Sequence, residues 1–257
     1  MFIDSHCHLN YKGLVEDQQA VLDRARAAGV VRMLNISTRA SEWDEVIGLA
    51  EQEDDVMASV GIHPHEADLH PDIHADRLVE KAAHPRVIGI GETGLDYYYD
   101  HSDRERQRQS LRAHNAAARE TQLPLIVHTR DAEADTLLIL DEEMGKGRFP
   151  ALIHCFTASR GFADRVLELG LYISLSGIVT FKNARELQET ARSIPLDRLL
   201  IETDAPFLAP VPHRGRTCEP AFVADTAAFL AGLRDEPIER LAEATSANFR
   251  HLFAKAA

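Results

Sequence analysis

Short apolar segments alternate with longer amphipathic segments about eight times along the chain, and few folds accommodate this alternation. The run at residues 30–36 is apolar almost throughout, as expected for a strand that is buried on both faces. The longer segments carry apolar residues at helical spacing, and two of them stop at Gly29 and Gly170, a common signal for the end of a helix. About eight strand–helix pairs are typical of one α/β fold, the closed parallel (β/α)8 TIM barrel.

The predicted elements cover the whole sequence. Strands are predicted at residues 2–8, 30–36, 56–62, 87–90, 125–127, 151–153, 172–175 and 199–201. Helices are predicted at residues 16–28, 41–53, 73–83, 103–121, 133–144, 162–169, 184–193, 221–233 and 238–253. The last of them is an extra C-terminal helix beyond the strand–helix pairs. A doubly wound open sheet has the same periodicity, but no Gly-x-Gly-x-x-Gly or P-loop motif follows any strand, which removes the commonest reason for choosing it.

Length and composition indicate one ordinary globular domain. The 257 residues are 45% hydrophobic and 27% charged, which is enough to bury a substantial core. No linker or low-complexity segment interrupts them, so residues 1–257 are expected to form a single domain. No signal peptide and no run of about 18 apolar residues is visible, so we expect a cytoplasmic protein without a membrane contact. The sequence leaves the oligomeric state open.

The formal net charge of −13 restricts the kind of nucleic-acid contact that the chain can make. A broad grip on duplex nucleic acid usually rests on a basic surface, which this composition does not supply. A small pocket for one phosphate is still compatible with it. A pair of divalent cations would reverse the sign of the charge locally even in an acidic protein.

Residue types that bind metal ions recur at the carboxyl ends of the predicted strands. In an extended strand His6 and His8 point the same way, while Cys7 points to the opposite face. The other strand ends carry His63, His65, Glu92, Asp96, His128, His154, Glu202 and Asp204. Catalytic groups of TIM barrels lie at the carboxyl ends of the strands and in the loops that follow. We therefore expect these side chains to converge on one barrel mouth.

Even four of these histidines with two of the carboxylates exceed the needs of a single tetrahedral ion with an open position. They suit two divalent ions bridged by a carboxylate, an arrangement that can clamp the attacking and leaving oxygens of a hydrolysis. Nitrogen-rich ligation favours zinc, manganese or iron over magnesium. Hydrolysis by a metal-activated water is the predicted reaction class.

The ordered motifs resemble those of the TatD-type metal-dependent deoxyribonucleases of the amidohydrolase superfamily, across essentially the whole chain. The matching stretches are FIDSHCHL, VGIHPH, IGETGLDYY, PLIVHTRDA, HCFTAS, IETDAPFLAP and the RG and EP of HRGRTCEP. The resemblance implies nuclease activity, which in this family is usually described with magnesium. Zinc, manganese and magnesium therefore stay open as the resident ions.

The resemblance also implies which residues hold each ion. The more buried ion would be held by His6, His8, Glu92 and Asp204. The second ion would be held by Glu92, His128 and His154, so that Glu92 bridges the two. Glu92 and Asp204 are accordingly the predicted catalytic carboxylates.

Residues near these motifs are candidates for contacts with substrate. Arg130 and Arg214 are suited to gripping phosphate oxygens, with an exposed salt bridge as the alternative for each. His63 is expected to contact substrate or a phosphate oxygen, with a capping role as the alternative. Aromatic residues that could stack on an unpaired base, or pack the barrel rim instead, are Tyr97, Tyr98, Tyr99, Phe156 and Phe207.

Other histidines and cysteines are expected outside the site. Alternation along a strand turns Cys7 and Cys155 away from the neighbouring histidines, so both are predicted to pack in the barrel wall. Histidines in predicted helices or turns are expected at the surface, namely His70, His74, His84, His101, His114, His213 and His251. His213 is the expected exception, because it lies beside Arg214 after the last strand.

The leading hypothesis is a phosphodiesterase that removes nucleotides from DNA ends, single-stranded and from the 3′ end as the resemblance implies. An acidic chain with a narrow metal pocket fits an end-directed enzyme better than one that wraps a duplex. A second hypothesis changes the bond to an ester or amide, as in a D-aminoacyl-tRNA deacylase. A third is a metal-binding module without catalysis, against which the intact Asp204 argues.

Overall fold

The structure of residues 1–256, a computed structural model, contains one sheet of eight strands that alternate with helices. The strands are β1 (Phe2–Cys7), β2 (Val30–Asn35), β3 (Val56–Val60), β4 (Val87–Asp96), β5 (Leu125–Arg130), β6 (Ala151–Ile153), β7 (Tyr172–Leu175) and β8 (Leu199–Ile201). Their order in the sheet is the order in the sequence, and all neighbours are parallel. The predicted (β/α)8 TIM barrel is therefore confirmed, and the doubly wound open sheet is excluded.

The helices begin and end within two residues of their predicted positions. They are α1 (Gln18–Ala27), α2 (Trp43–Gln52), α3 (Ala75–Ala82), α4 (Arg104–Thr121), α5 (Glu133–Gly145), α6 (Arg160–Glu168), α7 (Arg185–Ser193), α8 (Val223–Leu233) and α9 (Ile238–Leu252). Local capping explains some of the boundaries, since the Asp103 carboxylate accepts from the N–H groups of Glu105 and Arg106 at the start of α4. Across residues 1–256, no helix combines the length and the apolar stretch that crossing a membrane requires.

The two ends of the sheet meet at the carboxyl end of the barrel. The Asp204 N–H donates to the His6 carbonyl at 2.9 Å, and the His8 N–H donates to the Ala205 carbonyl at 2.8 Å. Cys7 forms a parallel bridge with Ala205. This pairing continues β1 past the end of β8, so it joins the segment that carries two of the predicted ligands to the segment that carries another.

The interior of the barrel is filled by one apolar side chain from each strand. These side chains are Ile3, Leu34, Met57, Ile88, Ile126, Leu152, Tyr172 and Leu200. Phe249, Leu252 and Phe253, from α9 and the residue after it, belong to the same buried cluster and close the amino-terminal end of the barrel. The extra helix predicted from the sequence thus seals the end opposite to the metal-binding residue types.

A second apolar layer lies between the outside of the sheet and the helices. It includes Trp43 of α2, Leu111 of α4, Phe162 of α6 and Leu230 of α8, each buried to 2% exposure or less. Because the strands are covered on both faces, their sequences read as continuous apolar runs and not as alternating ones.

Strands β4 and β5 are longer than predicted. The sequence indicated strands at 87–90 and 125–127, but β4 continues to Asp96 and β5 to Arg130, with Gly94 paired to His128. At Gly94, where φ is +145°, a Cβ atom would lie only 1.9 Å from the His128 carbonyl oxygen. The polar, glycine-containing sequence hides the strand, yet the missing side chain is what lets the two backbones pair. Glu92 and His128 therefore lie within strands and not after them.

Replacing Gly94 by alanine should destabilise the protein strongly. The added Cβ would collide with the backbone of β5, and the positive φ disfavours any L side chain, so we expect Gly94→Ala to lower the free energy of unfolding by at least about 2 kcal/mol. Gly48→Ala in α2 is the matched control, because nothing lies within 4 Å of its Cβ position. It should raise the free energy of unfolding by about 0.5–1 kcal/mol. Urea unfolding measures both, and a Gly94→Ala protein as stable as the parent would contradict the close pairing.

Candidate metal centre at the mouth of the barrel

A cavity of about 620 Å³ opens at the carboxyl ends of the strands. It is lined by residues from most of these strand ends, including His8, His63, Glu92, His128, His154 and Asp204. His6 is fully buried below this surface. The predicted convergence of these side chains on one barrel mouth is thus what the structure shows.

The Glu92 carboxylate lies at the centre of the site. Its Oε1 atom is 2.7 Å from His154 Nε2 and 3.2 Å from His128 Nδ1. Its Oε2 atom is 3.4 Å from His6 Nε2 and 4.0 Å from His8 Nε2. One carboxylate therefore stands between two pairs of imidazoles, with one oxygen toward each pair.

Asp204 completes the deeper side of the site. Its Oδ1 atom lies 3.4 Å from His8 Nε2 and 3.7 Å from His6 Nε2. His8 Nδ1 is 3.1 Å from the Ile36 carbonyl, which can only accept, so this nitrogen carries the proton and Nε2 presents a lone pair to the cavity. Backbone and side chain thus aim a ligand-type nitrogen at the carboxylates.

The unsatisfied polar atoms of the site fit a metal ion. Both ring nitrogens of His6 are buried and have no hydrogen-bond partner among residues 1–256. Leaving such a group unpaired costs about 1–3 kcal/mol, which coordination would offset. Ligand-type atoms lie within 4.8 Å of one another in three groups, namely His6–His8–Glu92, His63–Glu92–His128 and His6–His154–Glu202. Imidazole and carboxylate donors of this kind suit transition-metal ions.

The carboxylates of the site are held in their ionised form. Burial alone would raise the pKa of Glu92, but the facing imidazoles of His154 and His63 outweigh it and hold this pKa well below its usual value. Burial likewise opposes ionisation of Asp204, but the neighbouring imidazoles of His8 and His6 outweigh it and lower the pKa of Asp204. Ionised carboxylates are the state that binds cations.

His63 serves the local backbone and the site at once. Its Nδ1 atom accepts from the His65 N–H at 3.1 Å and caps the short helical turn Pro64–Leu69. The Nε2 atom must then carry the proton of the neutral ring, and it lies 3.4 Å from Glu92 Oε1. Burial lowers the pKa of His63 to about 4. The capping alternative is therefore realised, and contact with substrate stays a prediction.

The two candidate arginines lie in different places. Arg130 lines the cavity, and its guanidinium carbon is 4.1 Å from the ring centre of Tyr98 and 4.7 Å from that of Tyr99. Arg214 lies outside the cavity lining, with its guanidinium carbon 3.8 Å from the ring centre of Phe181. Each guanidinium rests on an aromatic face, which leaves its N–H groups available to an anion.

A sequence model described as TatD related DNase matches residues 3–254. The chain belongs to the TatD-related DNase family. The match spans nearly the whole barrel, so the resemblance inferred from the motifs is confirmed.

Individual members of the TatD-related DNase family are similar over nearly their full length. YcfH of Escherichia coli K12, named an uncharacterized metal-dependent hydrolase, is 45% identical over 254 residues, which cover 98% of this chain and 95% of YcfH. TatD of Erwinia tasmaniensis, named a 3′-5′ ssDNA/RNA exonuclease, is 36% identical over 256 residues, covering 97% and 98% of the two chains. The crystal structure of YJJV, a TatD homolog from Escherichia coli K12, superposes with a TM-score of 0.88 at 31% identity and 98% coverage of both chains. This chain is a metal-dependent hydrolase of the same family.

Only two of the candidate stacking aromatics reach the cavity. Tyr99 and Phe207 line it and are each 49% exposed. Phe156 is 1% exposed and packs near Phe162, so for this residue the packing alternative is realised and not the stacking one. Its aromatic ring belongs to the apolar cluster between the sheet and the helices.

The structure contradicts the predicted orientation of Cys155. The thiol was expected in the barrel wall, but Cys155 lines the cavity and its Sγ atom is 3.3 Å from Ser176 Oγ. Strand β6 ends at Ile153 and Cys155 has a φ of +43°, so strand alternation does not extend to it. Cys7, which lies within β1, is fully buried in the wall as predicted.

His114 was expected at the surface, and this is wrong. It is fully buried on the inner face of α4, where Nδ1 donates to the Ser110 carbonyl at 2.7 Å and Nε2 accepts from the Ile62 N–H at 3.0 Å. The neighbouring buried Leu111 and Ala118 show that position 114 lies on the apolar stripe of the helix. The helical spacing of these apolar residues was the available signal. His114 thereby fixes the backbone immediately before His63.

Two carboxylates of the site received no role from the sequence. Asp96 Oδ2 lies 2.8 Å from His65 Nε2 and 3.3 Å from His128 Nε2. Glu202 Oε1 lies 3.3 Å from His154 Nδ1 and accepts from the Cys155 N–H at 2.8 Å. Both were recognisable as strand-end carboxylates, but only the fold reveals that Asp96 contacts His128 and that Glu202 contacts His154.

The buried His114 should make stability depend on pH in a defined window. Burial lowers its pKa from the ordinary 6.5 to about 4, so the unfolded chain binds more protons between these values. The neutral ring then contributes on the order of 3 kcal/mol above pH 6.5, and this contribution is lost as the pH falls toward 4. Urea unfolding of the parent and of His114→Gln, at equal metal loading, should show a steeper loss for the parent over this window. Parallel profiles would rule out the neutral buried ring.

Proposed function

We propose that this metal-dependent hydrolase is a deoxyribonuclease that removes nucleotides from the 3′ end of single-stranded DNA. The observation that supports it is the Glu92 carboxylate shared between two pairs of imidazoles at the floor of an open cavity. Such a carboxylate suits a two-metal site for phosphodiester hydrolysis. The relative from Erwinia tasmaniensis carries the name 3′-5′ ssDNA/RNA exonuclease, which supports the same substrate class.

The proposed ligands divide into two sets that share Glu92. His6, His8, Glu92 and Asp204 would hold one divalent ion, and Glu92, His128 and His154 would hold the other. The chemistry supplied by two such ions is a lowered pKa of water and neutralisation of phosphate charge. The imidazole-rich donor set favours zinc or manganese, and magnesium is kept as a candidate because the family resemblance implies it.

Asp204 is the proposed acceptor of the proton that leaves the attacking water. Its side chain is 15% exposed to the cavity, whereas that of Glu92 is 3% exposed. The more accessible carboxylate is the one that water can reach, and its lowered pKa keeps it ionised, the form that can accept a proton. Glu92 is held by imidazoles on both oxygens, which supports a bridging role.

The rim of the cavity suits a single strand. Arg130 would bind a phosphate through its N–H fork, and His63 would donate from Nε2 to a phosphate oxygen. Tyr99 and Phe207 expose ring faces on which unpaired bases could stack. The net charge of −13 disfavours a wide duplex footprint. These features support end-directed action on a strand whose bases are accessible.

One domain spanning residues 1–257 would carry this activity. All eight strands lie in one sheet, and α9 closes the same barrel, which supports a single cooperative unit. The cytoplasmic location expected from the sequence stays a prediction.

The activity is tested with a 3′-labelled single-stranded oligonucleotide and a D-aminoacyl-tRNA under one metal condition. We expect release of mononucleotides from the oligonucleotide and a much slower reaction on the aminoacyl ester. Asp204→Asn should lower kcat by about 10²- to 10⁴-fold, because the amide cannot accept the proton. Quenched time courses on labelled substrate measure both quantities.

The control variant is Asp197→Asn, which removes the same charge at an exposed position far from the cavity. It should retain parental kcat. Chelation should abolish turnover, and re-addition of individual metals with elemental analysis identifies the ions that restore it. Inactivity toward every oligonucleotide, with turnover of the aminoacyl ester, would contradict the nuclease and favour an ester hydrolase on the same site.

The position of the two arginines predicts different effects on KM. Arg130→Gln should raise KM about tenfold for a dinucleotide and for a ten-residue oligonucleotide, because it removes a charge-assisted hydrogen bond inside the cavity. Arg214→Gln should raise KM only for the longer substrate, since Arg214 lies outside the lining. Steady-state kinetics on both lengths measures the difference. Equal KM values for Arg130→Gln and the parent would remove Arg130 from substrate binding.

A further inference from the structure

The Asp96 carboxylate is a buried group whose contacts are all specified. Its Oδ1 atom accepts from the backbone N–H groups of Tyr98 at 3.0 Å and Tyr99 at 2.9 Å. Its Oδ2 atom lies 2.8 Å from His65 Nε2 and 3.3 Å from His128 Nε2. Asp96 is 1% exposed, so water does not compete for these positions.

An ionised carboxylate can only accept hydrogen bonds, and it offers about four lone-pair sites. Two backbone donors occupy Oδ1, so the two imidazole nitrogens at Oδ2 must both be donors. A metal ion can lie between His128 Nδ1 and the Glu92 carboxylate, whereas only a proton can join His128 Nε2 to Asp96. The neutral His128 ring of the metal-bound protein therefore carries its proton on Nε2, and its Nδ1 atom presents the lone pair. That Nδ1 atom lies 3.2 Å from Glu92 Oε1 and 3.4 Å from His154 Nε2, on the side of the proposed metal centre.

The position of Asp96 is fixed independently of His128. Its backbone N–H donates to Gln107 Oε1 at 2.8 Å, and Gln107 Nε2 donates back to the Asp96 carbonyl at 3.2 Å. Gln107 is fully buried in α4 and also donates to the Ser102 carbonyl. The carboxylate is thus held from behind by a helix and acts on the imidazole from a rigid base.

We propose that Asp96 is a positioning residue that fixes the His128 tautomer, so that His128 binds the second metal ion through Nδ1. This inference rests on the proposed role of His128 as a metal ligand. Partners that orient a ligating histidine typically change metal affinity by about 10- to 100-fold when they are removed. In this role Asp96 acts through His128.

Asp96→Asn keeps the hydrogen bonds that Oδ1 accepts and changes those at the position of Oδ2. The asparagine oxygen can still accept from the Tyr98 and Tyr99 N–H groups, so the turn that follows β4 is retained. The amide nitrogen then faces the imidazoles and donates, which requires a lone pair on His128 Nε2. The ring proton then favours Nδ1, so metal binding by the nitrogen that faces Glu92 must first return this proton to Nε2, which weakens binding.

The experiment titrates Zn²⁺ into the metal-free full-length chain against a chromophoric chelator. We expect Asp96→Asn to lose about 10- to 100-fold in affinity for one of two Zn²⁺ equivalents, with the other unchanged. The matched control is Asp100→Asn, because Asp100 lies in the same loop, is exposed and pairs with Arg104. It should bind both equivalents as the parent does. Parental affinity in Asp96→Asn would overturn the proposal.

A second measurement does not depend on the folding of Asp96→Asn. Long-range 15N–1H NMR spectra of the Zn²⁺-loaded parent, with labelled histidine, report which ring nitrogen of His128 carries the proton. We expect Nε2–H for His128, with its signals assigned by their loss in His128→Gln. A proton on Nδ1 would overturn the proposal.

His128→Gln also separates this inference from the proposed function. If it weakens one Zn²⁺ equivalent while Asp96→Asn does not, the ligand assignment stands and the positioning role of Asp96 is overturned. If His128→Gln binds both equivalents like the parent, the ligand assignment fails and this inference fails with it. Weakening of the same equivalent in both variants supports the proposal.

Discussion

The buried Glu92 carboxylate, at the floor of the cavity, is the charge that the other side chains of the site surround. Removing a carboxylate from water costs several kcal/mol unless opposite charges or hydrogen-bond donors compensate for it. Here imidazoles face both oxygens, and the resulting field keeps the pKa well below its usual value. The same arrangement leaves a surplus of lone pairs directed at one small volume. A cation in that volume would accept these lone pairs.

The two ends of the barrel contribute differently to the stability of the fold. At the amino-terminal end Phe249, Leu252 and Phe253 meet the inward apolar residues of the strands, so this end contributes stability by burial. At the carboxyl end the side chains are polar, and both nitrogens of buried His6 lack partners among residues 1–256. That end costs stability and carries the chemistry, a division expected of this fold. The extra helix α9 thus offsets, at one end, the polar groups buried at the other.

The histidines of the site differ in the group that faces the ring nitrogen turned away from Glu92. His8 donates to a backbone carbonyl, that of Ile36, whereas His128 and His154 face the carboxylates of Asp96 and Glu202. A carboxylate partner makes an imidazole more basic than a carbonyl does, so the three rings are unequal as ligands. The carboxylate-backed rings both lie on the side of Glu92 Oε1. This asymmetry gives the two halves of the centre different donor strengths.

The sequence by itself determined the barrel, because alternating apolar runs and helical periodicity reflect burial that any arrangement of these elements must satisfy. It also determined which residue types gather at the mouth, since parallel strands bring their carboxyl ends to one edge. Only the tertiary structure decided which nitrogen of each imidazole faces the site, that Arg130 lines the cavity while Arg214 does not, and that His114 is buried. These facts depend on contacts between residues far apart in the chain, such as Asp96 with His128 and Ile62 with His114. Local periodicity reports the face on which a side chain lies, but not the atom that it meets there.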